Sequence, residues 1–243
     1  MEQVLKIPLL SRMPYFVRRD ADGYRVYSIN GTPLSHKPLS LAQAKKQQVA
    51  VLLEERRRVA RRLTGGSRCG GDESYALSDS DIQKVVGGTA IHRYPELHDM
   101  ESIEEAFDDS GRAMLLYLTE SENFGHWVCM MKRGDKTIEY FDSYGGYKPD
   151  EESEWLTQDK LEALGEDTKR LTALLRGYKV ISNPYKFQES GSRGRDVNTC
   201  GRHCAVRLML GHLSLPQYKQ MIESAGVSPD EFVTAFTAQL LHK

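Results

Sequence analysis

The chain has 243 residues, 40% of them hydrophobic, enough for the core of one large domain or of a main domain with a smaller attachment. Its 28% of charged residues nearly cancel to a formal net charge of -1, which excludes a global field directed at nucleic acid or an anionic membrane and leaves such binding to local patches. No apolar run approaches the ~20 residues of a membrane-spanning helix, the opening "MEQVLKIPLLSRMPYF" is too interrupted for a signal peptide, and four cysteines without framework spacing predict a soluble protein in a reducing compartment.

The first expected elements are a strand, an Asn-Gly turn at Asn30 and Gly31, and a short return strand within "YRVYSINGTPLS". Ser40 and Gln43 then form a capping box for an amphipathic helix running to about residue 63. The glycine-rich stretch 64–75 has linker composition, which divides the chain into a hairpin-helix module over 1–63 and a main domain over 76–243. In the main domain a short helix starts near Ser78 or Ser80 and stops at Gly87 and Gly88, and another lies in "SIEEAFDD". "RAMLLYL" is the first clear strand, and "HWVCMMKRGDKTIEYFDSYGG" is a hairpin. Leucines between 161 and 175 carry a helical repeat interrupted at Gly165, "YKVISN" is a further strand, and the apolar run from Cys200 to Leu213 is a helix stopped by Gly211 and Pro216. Ser228, Pro229 and Glu231 open a last helix. Strands and helices in blocks predict an α+β fold.

The chemistry concentrates in "NTCGRHC", residues 198–204. A cysteine attacks as its thiolate, which a helix N-terminus and a neighbouring base both favour. Cys200 sits at such a start, with Asn198 or Thr199 as its cap, and Gly201 lets backbone come close to an oxyanion site at the Cys200 amide. His126 opens one strand of the hairpin and Asp142 closes the other. A three-residue loop over Arg133 to Asp135 would set the two directly opposite on one face, whereas a two-residue Gly-Asp loop would shift them apart by one.

"GHWVCMM", "IEYFDSYG", Gln188 in "YKFQES" and "NTCGRHC" together resemble the ordered blocks of the adenovirus maturation protease and ubiquitin-like-protein protease clan, over roughly residues 77–213. The resemblance implies a papain-like cysteine protease fold in the circularly permuted adenain-like arrangement. It implies Cys200 as nucleophile, His126 as general base and then acid, Asp142 as the group that orients His126, Gln188 as an oxyanion donor beside the Cys200 amide, and Trp127 as a cover on the His-Asp pair. The scheme needs no metal or cofactor. Twelve positions separate Gln188 from Cys200, a longer interval than in the best-known cellular members, and the polar insert "ESGSRGRDV" fills it.

The expected activity is therefore thiol-dependent hydrolysis of peptide bonds. Its protein substrates would be viral capsid or scaffold precursors, cut after small residues such as glycine in the clan's manner, or conjugates of ubiquitin or a ubiquitin-like modifier. "YRVYSINGTPLSHKPLSLAQAKKQQVAVL" resembles a segment that recurs in proteins of large DNA viruses and their relatives, which favours a viral protein of the virion and host cytoplasm over a cellular one of the cytoplasm or nucleus. A structural particle protein without turnover is the non-enzymatic reading. Zinc is the chemical rival, through His126, Cys129, Cys200 and His203, but residues three apart on a strand face opposite ways. Cys129 and Cys204 read as packing residues and His203 as a surface or groove residue. Arg56, Arg57, Arg58, Arg61 and Arg62 offer a local nucleic-acid contact, set against a charge-complemented helix end.

Overall fold

The computed structural model describes residues 15–28, 32–35, 37–41, 43, 44, 47, 51, 73–121, 124–151, 156–189 and 197–241. It divides into two compact units, Met1–Cys69 and Gly70–Lys243. Most of the expected 64–75 linker, the helix beyond residue 51 and all five arginines of the basic run lie outside the described residues.

In the first unit β1 (Tyr15–Asp20) and β2 (Gly23–Ser28) form an antiparallel hairpin that turns at Ala21 and Asp22. The strand expected around Tyr24 to Tyr27 exists, but its ladder partner precedes it. Among the described residues the segment of the expected return strand makes isolated bridges, Tyr27 with Pro33 and Tyr24 with Leu39, and the Asn30-Gly31 turn lies outside the described residues. The charges of Arg18, Arg19 and Asp20 mask the alternation in β1. Asp20 accepts from Arg25 at 2.6 Å and from Tyr27 Oη at 2.7 Å, so these charges serve the hairpin itself. The capping box forms as expected: Gln43 N donates to Ser40 Oγ at 3.3 Å and Ser40 N to Gln43 Oε1 at 3.0 Å.

The second unit is built on a mixed five-stranded sheet of order β3-β4-β5-β6-β7. Its strands are β3 (Ala90–Arg93), β4 (Arg112–Ser121), β5 (Phe124–Gly134), β6 (Thr137–Phe141) and β7 (Lys179–Ser182). The three central strands run antiparallel, and both edge strands pair parallel to their neighbours. The runs "MLLYL" and "WVCMM" are apolar at successive positions because the sheet is covered on both faces.

One face carries Ala113, Leu115 and Tyr117 of β4, Val128 and Met130 of β5, and Ile138 and Tyr140 of β6. It packs under two 3-10 segments (Tyr94–Asp99 and Ile103–Ala106) and α3 (Arg170–Leu174). Short α2 (Gln158–Leu164) precedes α3, and Gly165, at φ 72°, ends α2 with a left-handed cap only glycine adopts freely. The interruption expected at Gly165 is thus the end of one helix ahead of the next.

The opposite face receives α4 (Cys200–Met209), which seats Cys204 Sγ on the Trp127 carbonyl at 3.2 Å and takes Cys129 Sγ on the Cys204 carbonyl at 3.7 Å. The fully buried Arg207 of α4 clasps Glu139 of β6 with two bonds of 2.8 and 3.0 Å. A helix absent from the sequence reading, α5 (Leu215–Glu223), follows at once. Pro216, expected to stop the preceding helix, instead lies in the first turn of this one, behind the Ser214–Gln217 capping box. α6 (Pro229–Leu241) packs against α4 and against α1 (Asp79–Val85), whose N-cap is Ser78. No helix among the described residues is long and apolar enough to cross a membrane.

Candidate active site

The β5-β6 register decides whether His126 and Asp142 meet. The strands close around a two-residue loop, Asp135 and Lys136, with Gly134 opposite Thr137. An irregularity between Lys132 and Gly134 then sets Lys132 opposite Ile138 and carries that register to Cys129 opposite Phe141. Asp142, next along, falls level with Val128. Neither expected loop occurs, yet the combined offset is two residues, and an even offset preserves the face. His126 and Asp142 are diagonal neighbours on one side of the hairpin.

His126 Nε2 and Asp142 Oδ1 are 2.8 Å apart, and both side chains are buried. Asp142 is also a turn residue: the same Oδ1 accepts from Tyr144 N at 2.9 Å, an Asx turn that swings the chain back over the histidine. Tyr144 consequently stacks on the imidazole, with centroids 4.7 Å apart and planes inclined by 16°. Asn183, just past β7, fixes the turn from behind by donating to the Asp142 carbonyl at 2.6 Å and the Tyr185 carbonyl at 2.8 Å. Trp127, expected over the His-Asp pair, has its indole on the start of α4. Its Nε1 donates to the Leu77 carbonyl at 3.2 Å, and a Cβ on Gly201 would lie 3.1 Å from its Cδ1. Gly201 is small because the indole needs that space.

Cys200 is the first residue of α4. Besides the bond from Nε2 to Asp142, the imidazole has a hydrogen-bonding partner in the Cys200 thiol. Burial works against charge on both groups and is the largest influence on each, but it is overcome. Hydrogen bonds to Asp142 and Cys200 hold the imidazole well above its ordinary range. The His126 bond, with backbone hydrogen bonds at Trp127 and Gly201, brings the Cys200 thiol below its own. The pair is thereby disposed to exist as thiolate and imidazolium.

The expected caps behave differently. Thr199 occupies the N-cap position, but its hydroxyl donates to Asp230, while Asn198 donates to the Ser74 carbonyl at 2.9 Å. Gln188 is buried, its Oε1 accepting from Ser143 Oγ at 2.8 Å and its Nε2 donating to the Val197 carbonyl at 3.1 Å. His203, expected at the surface or in a groove, is fully buried with Nε2 3.0 Å from Asp230 Oδ1. Of the residues weighed for zinc, His126 and Cys200 meet, but Cys129 bonds the Cys204 carbonyl and His203 faces Asp230. Among the described residues no three His, Cys, Asp or Glu side chains gather as a metal set.

Sequence reasoning missed Tyr144, Ser143, Asn183 and Asp230. The Asp-Ser-Tyr turn signal after β6 was there to be read for the first two. Asn183 and Asp230 act through bonds to segments 41 residues away, which no local pattern encodes.

Fold and site define an α+β protein with a central mixed sheet flanked by helices and a buried Cys-His-Asp chain at the start of one of them. No protein-family model matches the chain. It is 37% identical over 172 residues to an uncharacterized protein, V9, of Sputnik virophage, a match that covers 68% of this chain and 95% of that protein. The chain belongs to the family of this virophage protein.

Proposed function

We propose that the protein is a cysteine peptidase using Cys200, His126 and Asp142, with a papain-like site in the adenain-like order His, Asp, Gln, Cys. The observation that carries the proposal is the thiol-imidazole-carboxylate chain, buried at a helix N-terminus with the thiol lowered and the imidazole raised. The Cys200 thiolate attacks the carbonyl carbon of the scissile bond, and the carbonyl electron pair moves onto oxygen. Collapse of that intermediate expels the amine, which takes its proton from His126, and leaves a thioester on Cys200. Water, deprotonated by His126, then releases the acid and restores the thiol. Throughout, Asp142 holds the imidazole's tautomer and orientation.

Gln188 is the second oxyanion donor in this reading. A primary amide has two N–H donors, and one of them is committed to Val197. Ser143, by holding Oε1, fixes the direction of the other, which acts beside the Cys200 amide. The virophage relative supports a viral setting, and the substrates in this reading are proteins of a viral particle rather than ubiquitin-like conjugates.

The test is cleavage of particle proteins by the full chain and by Cys200→Ala, with ubiquitin-like vinyl-sulfone probes alongside. Loss of at least ~10³-fold in the variant is expected, with no probe labelling. Cleavage retained by Cys200→Ala would overturn the assignment, and probe labelling at Cys200 would move the substrate to conjugates.

A further inference from the structure

The interval between Gln188 and Cys200 raises a physical problem. An oxyanion site needs its two donors held to a fraction of an ångström, yet here they are separated by an excursion of chain whose residues 190–196 lie outside the described ones. Both inner ends of that excursion end on one carboxylate. Asp230 Oδ2 accepts from Glu189 N at 3.0 Å, immediately after Gln188. Asp230 Oδ1 accepts from the Thr199 hydroxyl, immediately before Cys200. The third donor is His203 Nε2 at 3.0 Å, one turn into the helix that Cys200 opens. All three donors converge on a side chain that is itself 3% exposed.

We infer that Asp230 is a positioning residue: it closes the base of the 189–199 excursion and so fixes Cys200 relative to Gln188. The inference rests on the reading of those two residues as nucleophile and oxyanion donor. It accounts for three otherwise separate observations. Thr199 stands at the N-cap of α4 without capping it, because its hydroxyl is spent on Asp230. His203 is fully buried near the start of α4, because it carries the third bond. Glu189 and Thr199 are held on one side chain although ten positions separate them, because loop length is thermodynamically cheap once the ends are tied.

Asp230 touches neither the Cys200-His126 pair nor Asp142 through any of these bonds. The clamp should therefore govern oxyanion geometry and leave thiol activation alone.

Thr199→Val removes one donor, and Asp230→Asn sets an N–H2 donor against the donors at one of the two oxygens and takes the charge from the other. Three quantities are compared with wild type at a temperature where each variant is folded: amide hydrogen exchange at Glu189, kcat and KM on a cleavable peptide, and the alkylation rate of Cys200 by iodoacetamide. Exchange at Glu189 is expected to rise about tenfold or more. kcat should fall about tenfold with KM changed less than about twofold, and alkylation should stay within about twofold of wild type. Unchanged exchange at Glu189 in a folded variant, or unchanged kcat despite faster exchange, overturns the positioning role. Faster exchange in variants of a wild-type protein that cleaves nothing would sink the peptidase reading and leave the clamp itself supported.

Discussion

Asp142 does two jobs with one oxygen, and that economy has a measurable side. Its Oδ1 takes both the imidazole and the Tyr144 amide, while Oδ2 is buried among the described residues without a hydrogen-bond partner. The charge is thus aimed at His126. In Asp142→Asn the geometry can persist but the anion that favours the imidazolium is gone. The His126 titration, followed by NMR of its ring protons, is expected to fall back toward the ordinary imidazole value near ~6.5, and turnover to drop about 10²- to 10⁴-fold. An unmoved His126 titration would show that Asp142 does not set its protonation. Sequence reading reached this pair because a strand-ending aspartate near a strand-opening histidine is a local pattern. It misplaced His203, whose burial depends on an acid 27 positions later that reads, by itself, as an ordinary helix-start residue.

The strands and helices explain why the triad was legible although their register was not. Of the elements that hold the candidate site, periodicity found β4 and β5 because they are long and strongly apolar, while β6 followed from the turn after β5 and α4 from its length and the Gly211 stop signal. It missed β3, a four-residue edge strand without a fully buried position, whose parallel partner lies across intervening helical segments. It also took Pro216 as a stop where it opens α5, since proline suits either place and only the Ser214–Gln217 box distinguishes them. At the joint between α2 and α3 a buried carboxyl makes a further prediction. Glu166 accepts from Leu118 N at 2.6 Å, but burial, the largest influence, pushes its pKa up to about 7. A raised carboxyl keeps its proton in the folded state over a range where the unfolded chain has lost it. Stability therefore declines as pH rises from the ordinary glutamate range to about 7 and levels off above it. The decline attributable to Glu166 is on the order of 3 kcal/mol, and Glu166→Gln should remove it in urea titrations at pH 5 and 8. An equally steep pH dependence in the variant would contradict this account of the site.

At the scale of the whole molecule, the first unit and the candidate catalytic unit are separately compact, and the family likeness to a virophage protein extends over 95% of that relative. The order of blocks along the chain was readable from the sequence, while the bonds that tie Asn183 to the Asp142 turn and Asp230 to the helix start had to come from the fold. In the proposed site Cys200 is activated by His126 rather than merely buried beside it. Alkylation of Cys200 by iodoacetamide, quantified by mass spectrometry across pH for wild type and His126→Ala, tests it most directly. The lowered thiol predicts a reactive plateau that extends below the ordinary thiol range and falls only when the thiolate is protonated. In His126→Ala the curve should shift up to that of an unassisted, buried thiol. Coincident curves, or a wild-type Cys200 that titrates as an ordinary cysteine, would contradict it.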